Sequence, residues 1–179
     1  MIAPHRYYYL HNFQRALDWI AERYADLLDT REQAFMAQFA QLPPLSQALL
    51  VRMLMRRGPW FRADKLVYEE IPDVVTAAQP LLALGWINAD AAMDLGELFD
   101  LHTKPELLQI FGKNAFSRSI SKRDMLTFLE QSNPASQPYA DWNRSAAQPA
   151  WRVMVGDLAE RFQLGRVNTN CRVGVNGQH

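Results

Sequence analysis

The chain has 179 residues and one cysteine, Cys171, so it can form no internal disulfide and carries neither a cysteine zinc cluster nor a disulfide framework. It has no net charge, with 19 Lys and Arg against 19 Asp and Glu and a pI near 6.9. That balance excludes a polycationic binder of the histone type. Local phosphate neutralisation stays open, because affinity depends on where cations cluster and not on their total. No apolar run reaches the length of a membrane span, and the opening MIAPHRYYYLHNF lacks the uninterrupted apolar core of a signal peptide. The four histidines are scattered, and no His-x-x-x-His or Glu-x-x-His pair sets two metal ligands on one helix face. Internal repeats and low-complexity tracts are absent as well. The expectation is a soluble cytoplasmic protein without a metal site of its own. A hydrophobic content of 49% with 11% aromatics is enough for one good core or two small ones.

What the chain does have is a local asymmetry. VRMLMRRGPWFRADKLVYEE, residues 51–70, gathers Arg52, Arg56, Arg57, Arg62 and Lys65 with Trp60, Phe61 and Tyr68, and Asp64 is its only acid before Glu69 and Glu70. Guanidinium groups match phosphate oxygens bidentately, and aromatic rings either stack on bases or pack a core. A helix end whose arginines complement its dipole accounts for the same charges.

The first third reads as helical. Tyr9, Phe13, Ala16, Leu17, Ile20, Tyr24 and Leu27 recur every three or four residues and define one face. Thr30 with Gln33 resembles a capping box before the stripe of Phe35, Met36 and Phe39. Pro43 and Pro44 break the chain, with Pro44 suited to a first helical position, and a third helix runs to Gly58-Pro59. WFRADKLVY then suggests a short strand and a helical turn at Tyr68–Ile71. Pro72 opens a helix through DVVTAAQPLLAL, which Pro80 should kink or shorten, and Gly85 leads into a strand at Trp86–Ala89. Three helices, a strand, a helix and a strand is the order of a winged helix, a variant of the helix-turn-helix. A generic helical bundle with one hairpin is the alternative.

From Asp94 a smaller unit begins. Leu95, Leu98, Phe99 and Leu101 form one short helix face, and Thr103 to Glu106 start a helix that Gly112 closes. A basic loop with Lys113 and Arg118 leads to Ser121, which caps SKRDMLTFLEQ with Asp124 at the third position. Lys122 and Arg123 at that helix start suit phosphate binding at an N-terminus; a helical hairpin with solvated cations is the competing reading. Residues 132–149 are rich in Pro, Ser, Gln and Ala and read as a linker. Trp151, Val155, Leu158 and Phe162 have helical spacing, so 150–164 reads as the start of a further helix, and 165–179 as a poorly ordered tail.

Three stretches carry a specific likeness. YYYLHNFQRALDWIAERYADLL, then QALLVRMLMRRGPWFRADKLVYEEI, then LLALGWI strongly resemble the N-terminal region of the Fanconi-associated nuclease family, most of all its bacterial members, over about Tyr7 to Phe162. ELFDLHTKPELLQIFG with SKRDMLTFLEQ resembles that family's SAP-type DNA-binding element. The resemblance implies a mainly α fold, with N-terminal helices and a winged-helix unit over 1–92 and a SAP-like helical unit over 93–131. It also implies a role in DNA repair. Family members are structure-specific DNA nucleases with phosphodiesterase activity near 5′ flaps, using Mg2+ or Mn2+ in a C-terminal VRR-type hydrolase domain. That domain needs a carboxylate cluster and an acid followed two residues later by Lys. No acid here has Lys at that spacing, since Asp64 and Lys65 are adjacent.

The expectation is therefore a DNA-binding fragment of such a nuclease, truncated before the catalytic domain, with no catalytic or metal residue in this chain. Arg52, Arg56, Arg57, Arg62 and Lys65, with Trp60, form one expected DNA-binding set. Lys104, Lys113, Lys122 and Arg123 form another. The expected partner is branched or flapped DNA. A stand-alone winged-helix regulator or protein-interaction module is the alternative.

Overall fold

The computed structural model describes residues 5–158 and Phe162, which divide into two compact units. The expected tail at 165–179 lies outside the described residues. One unit comprises Met1–Arg57 with Val155–His179, the other Gly58–Met154.

In the first unit, α1 (Tyr8–Tyr24) buries Tyr9, Leu10, Phe13 and Leu17 along one stripe. The expected stripe is too long at its far end: the helix stops at Tyr24, and Tyr24 and Leu27 are exposed. Helix α2 (Thr30–Gln41) does start with a capping box, one residue earlier than expected. Asp29 Oδ1 accepts from the Glu32 N–H at 2.8 Å, and Glu32 Oε2 accepts from the Asp29 N–H at 2.9 Å. An ionised carboxylate is a stronger acceptor for the orphan N–H groups than the threonine hydroxyl next to it.

Helix α3 (Pro44–Leu54) has Pro44 in its first turn and ends at Leu54, before Gly58-Pro59. All six residues from Ser46 to Val51 are buried. Gln47 is the polar member of that run and is fully engaged. Its Nε2 donates to the carbonyls of Phe39 at 2.8 Å and Leu42 at 3.2 Å, and its Oε1 accepts from Gln14 Nε2 at 2.8 Å. One amide thereby ties three helices together and avoids the cost of an unpaired buried group. Phe162 stacks on Phe35 with centroids 5.5 Å apart, and Asp157 pairs with Arg31 at 2.8 Å.

The second unit begins with β1 (Trp60–Arg62), a 3-10 turn (Ala63–Lys65) and an isolated bridge between Tyr68 and Ile71 where a helical turn was expected. Helix α4 (Val74–Ala83) is capped by Asp73, whose side chain accepts from the Thr76 N–H at 3.0 Å, and it contains Pro80. The proline forfeits the bond to the Thr76 carbonyl, yet the helix continues to Ala83. Gly85, at φ +70°, turns the chain into β2 (Ile87–Asn88).

After β3 (Ala92–Met93) come α5 (Leu95–Leu101), α6 (Lys104–Phe111) and α7 (Lys122–Glu130). The expected linker is not a linker in structure. It forms β4 (Gln137–Pro138), which pairs with β3, and α8 (Tyr139–Trp142). Tyr139 is buried, and Trp142 Nε1 donates to the Met93 carbonyl at 2.8 Å.

The expected helix start at 150–164 is corrected over its first part, because Ala150–Val153 is a strand, β5, and helix is found only at residues 156–158 and at Phe162 among the described residues. Strand β5 lies between β1 and β2 and is antiparallel to both, with Trp60 opposite Arg152, Phe61 opposite Trp151, and Ile87 opposite Val153. Facing residues share a sheet side. Trp60, Arg62, Ala150 and Arg152 therefore line one side, and Phe61, Trp151, Val153 and Ile87 the other. Trp60 and Ala150 join a core of Met93, Leu95, Leu98, Phe99, Leu107, Met125 and Tyr139. On the opposite side Phe61, Trp151 and Ile87 are buried too. The short sheet is thus a buried centre of its unit, with α5 packed against β1 and α4 against β2.

Candidate nucleic-acid interface

The basic window of residues 51–70 is split between the two units at Arg57 and Gly58. Arg52, on the last turn of α3, is half-buried with its guanidinium 3.9 Å from the Tyr9 ring centroid, a cation–π contact. Arg56 and Arg57 follow the helix end and are exposed. In the second unit Trp60 is only 5% exposed, and its indole N–H is buried with no hydrogen-bond partner among the described residues.

Arg62 turns inward. Its Nε and Nη2 donate to Asp64 Oδ1 at 3.1 Å and Oδ2 at 2.6 Å, and its Nη1 reaches Glu106 Oε2 at 3.0 Å and the Leu101 carbonyl at 3.3 Å. That fork joins β1 to the end of α5 and the start of α6. It leaves little of the guanidinium for a phosphate. Lys65 is exposed and lies 3.5 Å from Glu106 Oε1.

Glu106 also receives the Thr103 N–H at 2.8 Å and the Thr103 hydroxyl at 3.1 Å, which starts α6. Partial burial opposes ionisation of its carboxyl, but the Thr103 N–H and the Arg62 guanidinium outweigh it and lower the pKa to about 2. Behind this group, buried His102 bonds through Nδ1 to the Leu98 carbonyl at 2.9 Å and through Nε2 to Tyr139 Oη at 3.2 Å. Burial pushes the His102 pKa down, and the charge of Arg62 adds to that. A neutral ring protonated at Nδ1 satisfies both bonds, with the Tyr139 hydroxyl donating to Nε2. Tyr139 in turn accepts from Asn143 Nδ2 at 3.2 Å.

The second expected set is arranged differently. Lys104 starts α6 and its Nζ donates to the Arg118 carbonyl at 3.0 Å, holding the loop between α6 and α7. Gly112, at φ +99°, begins that loop, and Lys113 and Arg118 are exposed on it. Ser121 Oγ accepts from the Asp124 N–H at 3.0 Å and donates to Asp124 Oδ2 at 2.6 Å, so the α7 start is well fixed. Lys122 is half-buried and Arg123 exposed on its first turn. Across residues 104–123 the only acid is Glu106, already committed to Arg62 and Thr103. Lys122 and Arg123 at a capped helix start, with Lys113 and Arg118 on the loop before it and Lys104 holding that loop, supply cations suited to phosphate oxygens.

Sequence reasoning did not place Arg118 in either set, although its position in an acid-free loop was legible. His5 and His11, apart in sequence, have ring centroids 5.1 Å apart, but among the described residues no three His, Cys, Asp or Glu side chains converge to hold a metal ion. Among the described residues, no helix is long and apolar enough to cross a membrane.

Two family models match the chain: the FAN1 HTH domain over residues 7–88 and the Fanconi anemia-associated nuclease SAP domain over residues 92–142. A Fanconi-associated nuclease 1 homolog of Pseudomonas aeruginosa is 47% identical over 161 residues, which is 90% of this chain and 29% of that relative. The crystal structure of paFAN1 bound to 5′-flap DNA with a 2-nucleotide flap and a gap is similar at a TM-score of 0.86 and 46% identity, over 92% of this chain and 30% of that one. A second, with a 1-nucleotide flap, gives 0.83 at 46% identity over 89% and 30%. The chain therefore spans about three tenths of the length of this Pseudomonas relative and of the paFAN1 structure.

Proposed function

The chain belongs to the Fanconi-associated nuclease family, of which it carries the HTH and SAP domains, and we propose that it holds branched or flapped DNA for a nuclease whose catalytic residues lie elsewhere. The observation that carries this reading is the acid-poor surface of Lys104, Lys113, Arg118, Lys122 and Arg123 around a pinned loop and a capped helix start. Its similarity to paFAN1, crystallised with 5′-flap DNA, supports the choice of DNA over other polyanions.

Lys113, Lys122 and Arg123 contact phosphates, and Lys104 serves mainly to position the loop. Arg52, Arg56, Arg57 and Lys65 add phosphate contacts from their own units. Arg62 and Trp60 support the fold beneath. The full-length activity that follows is metal-dependent phosphodiester cleavage near a 5′ flap, acting on DNA in the cytoplasm.

Fluorescence anisotropy of the 179-residue chain with a 5′-flap duplex and a blunt duplex of equal length tests this. The flap duplex is expected to bind more tightly. Affinity should fall with salt, with a log–log slope of roughly one per phosphate contact. Lys122→Glu with Arg123→Glu should reduce that slope by about two and leave the far-UV circular dichroism unchanged. Absence of binding at low salt would overturn the reading.

A further inference from the structure

Phe128 is a large apolar side chain of the second unit that stays at the surface. It lies on α7, is 58% exposed, and stands outside the core cluster that takes in its helix neighbours Leu126 and Leu129. Phe116, from the basic loop, is half-buried against that core and meets the Phe128 ring nearly perpendicularly, at 87° with centroids 5.6 Å apart. An edge-to-face contact of this kind steadies an exposed ring without covering both of its faces.

The loop that carries Phe116 is cationic. Phe116 lies between Lys113 and Arg118 in the sequence, and the loop is pinned by the bond from Lys104 Nζ to the Arg118 carbonyl. Lys122 and Arg123 begin the same helix about 8 Å back along its axis, but more than about 90° round it from Phe128 at ~1.5 Å and ~100° per residue. Asp124, four residues before Phe128 on the same face, is engaged by Ser121. Glu130 lies beyond Phe128, at the far end of the helix.

We infer that Phe128 is a stacking platform for an unpaired nucleobase, with Lys113 and Arg118 of the adjoining Phe116 loop holding the phosphates of the same strand. The inference rests on the DNA-binding reading and specifies what distinguishes a flap from a plain duplex. Bases inside a duplex are stacked on both faces and cannot reach the ring, whereas a flap, gap or frayed end offers a free face. The phosphate contacts are blind to this difference, and the ring is not.

The test uses the whole chain and four DNAs: a flap duplex, the same duplex with abasic flap residues, a gapped duplex and a blunt duplex. Phe128→Ala should weaken binding to flap and gapped DNA about tenfold while changing blunt-duplex affinity by less than about twofold. The salt slope should stay the same, since no cation is removed. Wild-type affinity for the abasic flap should drop to the level of the alanine variant, and Phe128→Trp should retain flap preference. Equal loss on all four DNAs, or no loss on any, overturns the inference. So does an unchanged flap preference with an altered oligomeric state in sedimentation, which would make the ring a protein contact. Wild-type chain that binds no DNA overturns the underlying reading, a result distinct from binding that ignores Phe128.

Discussion

Arg62 was expected at the DNA surface because it sits among other arginines, and its geometry argues for a different task. A phosphate ligand needs its fork directed outward, but here the donors go to Asp64, Glu106 and the Leu101 carbonyl. Breaking a fully buried ion pair costs ~3–5 kcal/mol. Asp64 and Glu106 keep part of their solvation, so Arg62→Met should destabilise the second unit by about 2 kcal/mol in urea unfolding. The salt slope of DNA binding should not change, and a slope reduced by one would restore Arg62 to the interface. The same cluster sets an acid limit. The Glu106 carboxyl is depressed from 4.5 to about 2, so its stabilisation is complete above pH 4.5 and is lost as pH falls toward 2. His102 acts in the same direction. Its folded pKa lies below 6.5, so the unfolded chain takes up its proton first and stability declines as pH drops below 6.5. Urea midpoints at pH 7, 5 and 3 should therefore fall in order, and Glu106→Gln should flatten the step between pH 5 and 3.

At the scale of elements, the periodic helices were legible and the pieces joined over long distances were not. The stripe of α1, the proline start of α3 and the serine cap of α7 depend on neighbours within one or two turns, and each is found close to its expected place. Misplacements of this kind were small: the α2 cap moved from Thr30 to Asp29 because a carboxylate was available one residue earlier. That cap is testable. Asp29→Ala should lower stability by about 1 kcal/mol with no effect on DNA affinity, and Asp29→Asn should recover most of it; an unchanged melting temperature in the alanine variant would remove the cap from the account. Strand β5 is a different case. Trp151, Val155, Leu158 and Phe162 are spaced like a helix face, and only pairing with β1 and β2, some 60 to 90 residues back in the chain, makes the first of them part of a strand. Likewise Tyr139 and Trp142 sit in a proline- and serine-rich stretch, and it is His102 and the Met93 carbonyl that hold them in the fold. The candidate site shows the same divide. An acid-free loop could be read directly, but the inward turn of Arg62 depended on Glu106, 44 residues away.

For the molecule as a whole, the two family matches together end at residue 142, and the strand that completes the second unit begins at Ala150. The sheet order is β1-β5-β2, so without β5 the other two strands have no partner in it. Trp151, 1% exposed, would leave a large cavity as well. The surface proposed to bind DNA rests on this core, since Leu107 of α6 and Met125 of α7 are both members of it. A chain ending at Gln131 keeps every cation of the second proposed set, and if 132–149 were only a linker its SAP-like unit would fold and bind as before. The expected result is the opposite: loss of the near-UV circular dichroism of the second unit, a broad thermal transition, and flap-DNA affinity reduced to a weak, unselective level. Because that truncation also removes Val155, Leu158 and Phe162 from the first unit, Trp151→Ala in the full chain provides the cleaner measurement. It should cost about 3–5 kcal/mol and reduce DNA binding only where it unfolds the protein, so that affinity recovers at low temperature. A truncated chain with a sharp transition and unaltered flap preference would return residues 132–149 to the status of a linker.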